Sequence, residues 1–288
     1  MSSKSSVKLL IPEKENNPEA KLFGLVALLT GFKNALKGVG FFLGGFLLSL
    51  LGYTAALQCL ASLLIVILIL SLLFVRKEFG KTKSKPTFSQ LFSKSQAINR
   101  LSFARAFLFA SRDVWFVVGL PIFLHEELSW SFSTVGGFMA VWVIGYGFIQ
   151  ALAPKIARAT SGLPSTVQAA RHWGVALVVI SAFIPLFLSF NFYPGMTLLI
   201  CLSLFGFIFA MNSSIHSYLI LAYTTGDDVT LNVGFYYMAN AVGRLSGTFL
   251  SGLMYYTGGL HACLWTAAVM CGASAIISRT FPSKIDSN

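Results

Sequence analysis

Five basic residues lie inside apolar stretches of this sequence that are long enough to cross a membrane. Lys33 and Lys37 share one stretch, Arg105 and Arg112 share a second, and Arg244 lies in a third. A helix rises about 1.5 Å per residue, which places Lys33, Arg112 and Arg244 about 16–21 Å below the membrane surface. That depth is near the middle of a hydrocarbon core about 30 Å thick. A charge at that depth costs about 2.5–3.5 kcal/mol on insertion scales, so its presence needs a physical reason.

Ion pairing is a poor explanation for these cations. One acidic residue, Asp113, has a similar depth. As the sequence neighbour of Arg112 it is expected to point about 100° away around the helix. Snorkelling towards the membrane surface stays open for Arg105, and a structural role stays open for Lys37. The pattern therefore predicts a water-filled cavity lined with positive charge, in which Lys and Arg side chains bind the oxygens of an organic anion.

Three uncharged or acidic residues complete the candidate site. Asn34 and Asn240 are predicted to form hydrogen bonds, either with the substrate or with a neighbouring helix. Asp113 is the candidate for coupling transport to protons, and His216 is predicted to lie at the membrane interface. The sequence has no metal-ligand cluster, no Ser-His-Asp spacing and no Walker motif. We therefore predict no enzymatic activity, no catalytic residue, no metal and no cofactor.

The composition is that of an all-α, polytopic membrane protein. Of the 288 residues, 56% are hydrophobic and 11% are charged, and the mean hydropathy is +0.75. Soluble domains carry about 25% charged residues. Eight apolar stretches are predicted to form membrane-spanning helices, at 22–51, 53–75, 100–124, 131–153, 172–192, 194–219, 230–257 and 260–280.

The basic residues between these helices fall on one side of the membrane. With eight spans, the segments 1–21, 76–99, 154–171 and the tail share that side, and they carry the loop Lys and Arg residues. The positive-inside rule then predicts an integral protein of the inner or plasma membrane with both termini in the cytoplasm. The net charge of +11 is thus explained by orientation, and we predict lipid contact but no nucleic-acid partner.

The longest hydrophilic connection divides the predicted helices into two groups. The predicted order is a cytoplasmic N-terminal segment (1–21), the last two helices of an N-terminal half (22–75), a basic cytoplasmic linker (76–99), a six-helix C-terminal half (100–281) and a cytoplasmic tail (282–288).

The first and seventh predicted helices resemble each other. "NALKGVGFFLGGFLLSLLGY" (34–53) aligns with "NAVGRLSGTFLSGLMYYTGG" (240–259), so that Asn34 meets Asn240 and Lys37 falls one residue from Arg244. Both helices start on the cytoplasmic side, and six helices separate the two copies. A parallel six-helix repeat is the arrangement of major facilitator halves. It predicts a facilitator-like bundle in which about eight of twelve helices are present.

Glycines in the same two helices are predicted to allow close helix packing. They are Gly38, Gly40, Gly44, Gly45, Gly243 and Gly247.

Longer stretches of the sequence resemble one transporter family. "MSSKSSVKLLIP" followed by "LLTGFKNALKGVGFFLGG" is similar to major facilitator permeases of the organoarsenical-efflux (ArsJ) type. The similarity continues through "FARAFLFASRDVWFVVGLPIFL" and "FYYMANAVGRLSGTFLSGLMYYTGGL". It implies that Met1 matches an internal methionine of the family and that the first four helices are absent.

The resemblance implies an exporter of 1-arseno-3-phosphoglycerate in arsenate resistance. It also implies a functional link to a glyceraldehyde-3-phosphate dehydrogenase, which makes that substrate from arsenate. Two alternatives stay open at this point. One is a facilitator for another phosphorylated or carboxylated organic anion, and the other is a non-transporting membrane remnant or assembly subunit.

Overall fold

All regular structure in the described part of the chain is helical. The computed structural model describes residues 18–74, 95–161, 166–190, 193–224 and 229–282. The helices are α1 (Pro18–Phe74), α2 (Gln96–Phe116), α3 (Gly119–Glu126), α4 (Phe132–Ser161), α5 (Thr166–Ser189), α6 (Pro194–Ala222) and α7 (Val229–Arg279). The all-α prediction is therefore confirmed. By length and composition, these residues form six helices that are apolar enough to cross a membrane.

Glycine breaks interrupt the two longest helices at the positions where the sequence predicts turns. In α1, Gly52 has φ 71° and ψ 177°. In α7, Gly258 and Gly259 are both non-helical, and Gly259 has φ 62°. Glycine adopts a positive φ without the steric penalty that a Cβ atom brings, so these residues let the chain leave one helical segment and start another.

A third break separates α2 from α3, inside the stretch predicted as one span at 100–124. Pro121 has no N–H, so the carbonyl of Val117 loses its helical donor, and the helix opens there. Ser251 of α7 provides an acceptor for two backbone N–H groups at this break. Its Oγ accepts hydrogen bonds from Val118 (3.2 Å) and Gly119 (3.1 Å). The stretch predicted as one span at 100–124 thus consists of two helices, which together form one candidate membrane span, Gln96–Glu126.

The connection predicted at 154–171 is also shorter than expected. Helix α4 continues through Pro154 to Ser161, and α5 starts at Thr166. Apolarity marks only the part of a helix that would face lipid. A helix that extends past the membrane with polar residues such as Lys155 therefore ends later than its hydropathy suggests.

Close backbone contacts join α1 to α4 and α2 to α7. Between α1 and α4, a Cβ atom added at Gly45 would lie 3.0 Å from the Cα of Gly136. Between α7 and α2, a Cβ at Gly247 would lie 2.9 Å from the Cα of Ala110. Gly38 and Gly243 make equally close contacts, so four of the six predicted packing glycines are confirmed.

The remaining two glycines have a different setting. A Cβ atom added at Gly40 or Gly44 would meet nothing within 4 Å. The prediction of close packing is wrong for both, because they lie on a face of α1 that no other described helix covers.

The second half of α1 makes little contact with the rest of the bundle. Its side chains from Tyr53 to Phe74 are exposed except that of Ala56, and they are apolar on every side of the helix. A helix that is apolar all round is suited to lipid contact.

Several predicted segments lie mainly outside the described residues. They are the N-terminal segment up to residue 17, the basic linker from 75 to 94 and the tail from 283 onwards. Their predicted cytoplasmic location stays a prediction.

We expect Gly243→Ala to destabilise the fold. The added methyl group would strike the backbone carbonyl of Ala106, and overpacking of this kind costs about 1–3 kcal/mol. Thermal unfolding of the purified protein in detergent measures the effect. Gly252→Ala is the control, because it lies on the same helix in open space. Equal melting temperatures for the two variants would contradict the close α2–α7 packing.

Candidate functional site

A single buried carboxylate connects two of the predicted cations. Asp113 on α2 has no solvent exposure, and its Oδ2 accepts a hydrogen bond from Nε of Arg244 on α7 at 2.9 Å. Its Oδ1 accepts a hydrogen bond from Nε of Arg112 at 2.7 Å and another from the same guanidinium. Asp113 is the acid of both ion pairs found among the described residues.

This arrangement corrects one sequence-based expectation. Arg112 and Asp113 were expected to point apart because they are adjacent in a helix. The Arg112 side chain instead turns back onto the carboxylate, since its flexible stem spans the angle between two neighbouring Cβ directions. Charge balance by Asp113, which the helical geometry argued against, is therefore part of the structure.

Lys37 lies beside this ion-pair group. The charges of Arg244, Arg112, Lys33 and Asp113 all act on it. Lys33, one turn away, places its Nζ 5.9 Å from the centre of the Tyr237 ring on α7. Four cations therefore lie near a single carboxylate, which pairs with two of them, and the group has a net positive charge.

A cavity of about 680 Å³ opens next to these charges. Lys37 and Arg244 are its cationic lining residues, and the Arg244 side chain is 47% exposed. The other lining residues come from α1, α3 and α4, and most are apolar or glycine: Gly40, Phe41, Gly44, Gly45, Leu48, Pro121, Ile122, His125, Glu126, Phe132, Val135 and Gly136. The open face at Gly40 and Gly44 is thus the wall of a cavity.

Arg105 occupies a separate, fully enclosed environment. It is 4% exposed, so the alternative that it snorkels to the membrane surface is wrong. Its Nη1 donates hydrogen bonds to the backbone oxygen (2.9 Å) and to Oγ (3.0 Å) of Ser213, and its Nε donates to Oδ1 of Asn240 (3.3 Å). No acid pairs with it in the described ranges. Arg105 is not among the residues that line the cavity.

The hydrogen bonds of Arg105 belong to a chain that crosses five helices. Nε2 of Gln150 donates to Oγ of Ser213 at 3.1 Å, and the side-chain amide of Asn34 donates to Oε1 of Gln150. The chain therefore runs Asn34–Gln150–Ser213–Arg105–Asn240, and the two asparagines aligned by the repeat stand at its ends. We call these five residues the polar chain. Both asparagines bond to neighbouring helices, which is one of the two roles predicted for them.

Two residues of the polar chain, Gln150 and Ser213, were not predicted from the sequence. Gln150 and Ser213 lie in apolar stretches, as does Tyr146, whose hydroxyl is 3.1 Å from Oγ of Ser213. A glutamine in a membrane span is a usable signal, because an amide group in hydrocarbon requires partners. A serine is too common in such helices to be singled out.

His216 lies one turn beyond Ser213 on α6 and is fully buried. It packs against protein side chains, and its predicted position at the membrane interface stays a prediction. Neither ring nitrogen has a hydrogen-bond partner, and the same holds for Oδ1 of Asn212, one turn earlier on the same helix. The ring of Phe281 covers the imidazole, with the two ring centres 5.7 Å apart.

Comparison with known proteins does not assign a family. No protein-family model and no curated protein matches the sequence. Within the described residues no group of three His, Cys, Asp or Glu side chains is placed to hold a metal ion. The inference of function therefore depends on the charges, the cavity and the polar chain.

We expect Ser213→Ala to destabilise the bundle by about 1–3 kcal/mol, because Arg105 and Gln150 lose a buried acceptor oxygen. Ser203→Ala is the matched control, since Ser203 is an exposed serine of the same helix whose Oγ bonds only to the Leu199 carbonyl. Thermal unfolding in detergent distinguishes the two. If both variants melt alike, the polar chain does not stabilise the fold.

Proposed function

We propose that this protein is a membrane transporter of the major facilitator type that exports an organic anion. The observation that carries the proposal is the position of Lys37 and Arg244. They come from the two repeat-related helical segments, and both line one cavity inside a bundle of apolar helices. A cation among membrane-spanning helices has a high free-energy cost unless it binds an anion.

The charge distribution favours a mobile anion as the partner. Asp113 accepts hydrogen bonds from Arg112 and from Nε of Arg244, while the remaining donors of Arg244 are free of any ion pair in the described residues. Lys37 also forms no ion pair there. An ammonium and a half-exposed guanidinium at one cavity suit phosphate or carboxylate oxygens.

The transport mechanism follows from the helix arrangement. We propose eight spans and place both termini in the cytoplasm. Helices α1 and α7 each contribute two spans, one before and one after the glycine break. The repeat aligns Gly52 with Gly258, and both are non-helical, which supports the repeat. Movement of one helix group against the other would then open the cavity alternately to the two sides.

The first candidate substrate is 1-arseno-3-phosphoglycerate, as the resemblance to organoarsenical-efflux permeases implies. Its phosphate and arseno-ester oxygens would be bound by Lys37 and Arg244. A second candidate, an organic anion with an apolar body, is favoured by the wall of the cavity, where Phe41, Ile122 and Val135 offer no polar group. A non-transporting assembly subunit would not need unpaired cations at a cavity.

We expect the full chain, produced with the dehydrogenase in arsenate-sensitive cells, to raise arsenate resistance and to release the organoarsenical into the medium. Lys37→Gln should lower the export rate on the order of tenfold or more, because a charge-assisted hydrogen bond contributes about 1.5–3 kcal/mol. Export is measured as organoarsenical in the medium at equal protein levels in the membrane.

Lys155→Gln is the matched control, because Lys155 is an exposed lysine of α4 that does not line the cavity. Unchanged resistance with the unmodified chain would reject the arsenical substrate. Equal export by the two lysine variants would remove Lys37 from the anion site.

A further inference from the structure

The cavity beside Lys37 and Arg244 has a shape and a lining that restrict the ligand beyond its negative charge. On α1 its wall runs from Lys37 to Leu48, eleven residues and therefore about 16 Å along the helix. The volume of about 680 Å³ lies within the range of about 300–1,000 Å³ that is usual for drug-sized organic ligands. It is therefore a long cavity with its cations at one end.

The middle of the cavity has no group that would bind a polar ligand. Its wall consists of the Gly40 and Gly44 backbone on one side, and of Phe41, Ile122 and Val135 around it. A ligand hydroxyl or phosphate placed here would lose its water without gaining a partner, which is unfavourable. An alkyl or aryl group would instead be stabilised by about 25 cal/mol for each Å² removed from water.

The cavity lining also includes an acid, Glu126, next to His125. The His125 ring stacks on the Phe132 ring, and the Phe132 carbonyl oxygen lies against α1 at Gly45, about two turns beyond Lys37. Glu126 therefore lies towards the end of the cavity away from Lys37. A second negative group of the ligand would meet the Glu126 carboxylate at this end. The charge pattern thus disfavours a ligand that is anionic at both ends.

We propose that the cavity binds an elongated organic anion with one negative head group and an apolar body. Lys37 and Arg244 hold the head group, and the body lies along Gly40 and Gly44 towards Glu126. This proposal rests on the anion-binding role of Lys37 and Arg244 and specifies their ligand. It favours the second candidate substrate over the arsenical, whose phosphate and arseno-ester groups are both anionic.

The two open glycines allow the cavity to be filled without disturbing the helix contacts. In Gly44→Leu the new side chain enters the cavity, because a Cβ atom there meets nothing within 4 Å. The matched control is Gly24→Leu, which lies on the same helix, is equally open and does not line the cavity. Gly40→Leu provides a second filled variant in case Gly44→Leu fails to fold.

The test measures equilibrium binding to the full chain in lipid nanodiscs, with empty nanodiscs subtracted. Three probes are compared: phenylbutyrate has the head and the apolar body, phenylbutanol lacks the charge, and 3-phosphoglycerate lacks the apolar body. We expect phenylbutyrate to bind at least tenfold more tightly than either of the others. Gly44→Leu should weaken its binding at least tenfold, Lys37→Gln should do the same, and Gly24→Leu should leave it unchanged.

The outcomes separate this proposal from the proposed function. Tighter binding of 3-phosphoglycerate, lost in Lys37→Gln but kept in Gly44→Leu, would overturn the apolar-body proposal and leave anion binding in place. Equal binding of phenylbutanol and phenylbutyrate would overturn it as well, because the cavity would then be an unselective apolar site of the kind that lipid fills. If no anionic probe binds, both proposals fail.

Discussion

The interior of this protein depends on the two ion pairs of the Asp113 carboxylate. The carboxylate has no contact with solvent, and it binds arginines of both α2 and α7. Removing one partner of a buried ion pair costs several kcal/mol because the other charge is left uncompensated. Here one carboxylate pairs with two arginines, so the loss of either arginine would change the electrostatic environment of the other. The close α2–α7 packing at Gly243 and Gly247 brings Arg244 to this acid.

Hydropathy was enough to predict an all-helical chain with membrane-spanning helices, and the glycine breaks lie where it placed connections between helices. It did not predict where helices end outside the apolar stretch, as for α4, which continues past Pro154 to Ser161, because hydropathy reports lipid exposure and not backbone geometry. Charge and depth identified Lys37, Arg112, Asp113 and Arg244, which the structure brings together. They did not identify Gln150 or Ser213, since the partners of a polar side chain depend on which helices become neighbours.

Two polar regions with different properties lie at the level of the buried cations. The cavity is open, carries unpaired donors and has an apolar wall, which are properties of a ligand site. The polar chain is closed, and the hydrogen bonds of Arg105 are made to protein atoms. Lys37 and Arg244 are therefore the stronger candidates for anion contact, whereas Arg105 is suited to holding helices together. This division was not apparent when all five cations were grouped by depth alone.

The polar chain also limits how the bundle can deform. Its side-chain hydrogen bonds join α1, α4, α6, α2 and α7 at one level, from Asn34 to Asn240. Helices that are joined at one level can still move apart above and below that level. The cavity wall at Gly44 lies ten residues beyond Asn34 on α1, whereas His216 lies three residues beyond Ser213 on α6, an α-helix that runs the opposite way if the proposed spans hold. In the transporter that we propose, opening on one side of the polar chain would therefore be geometrically linked to closure on the other.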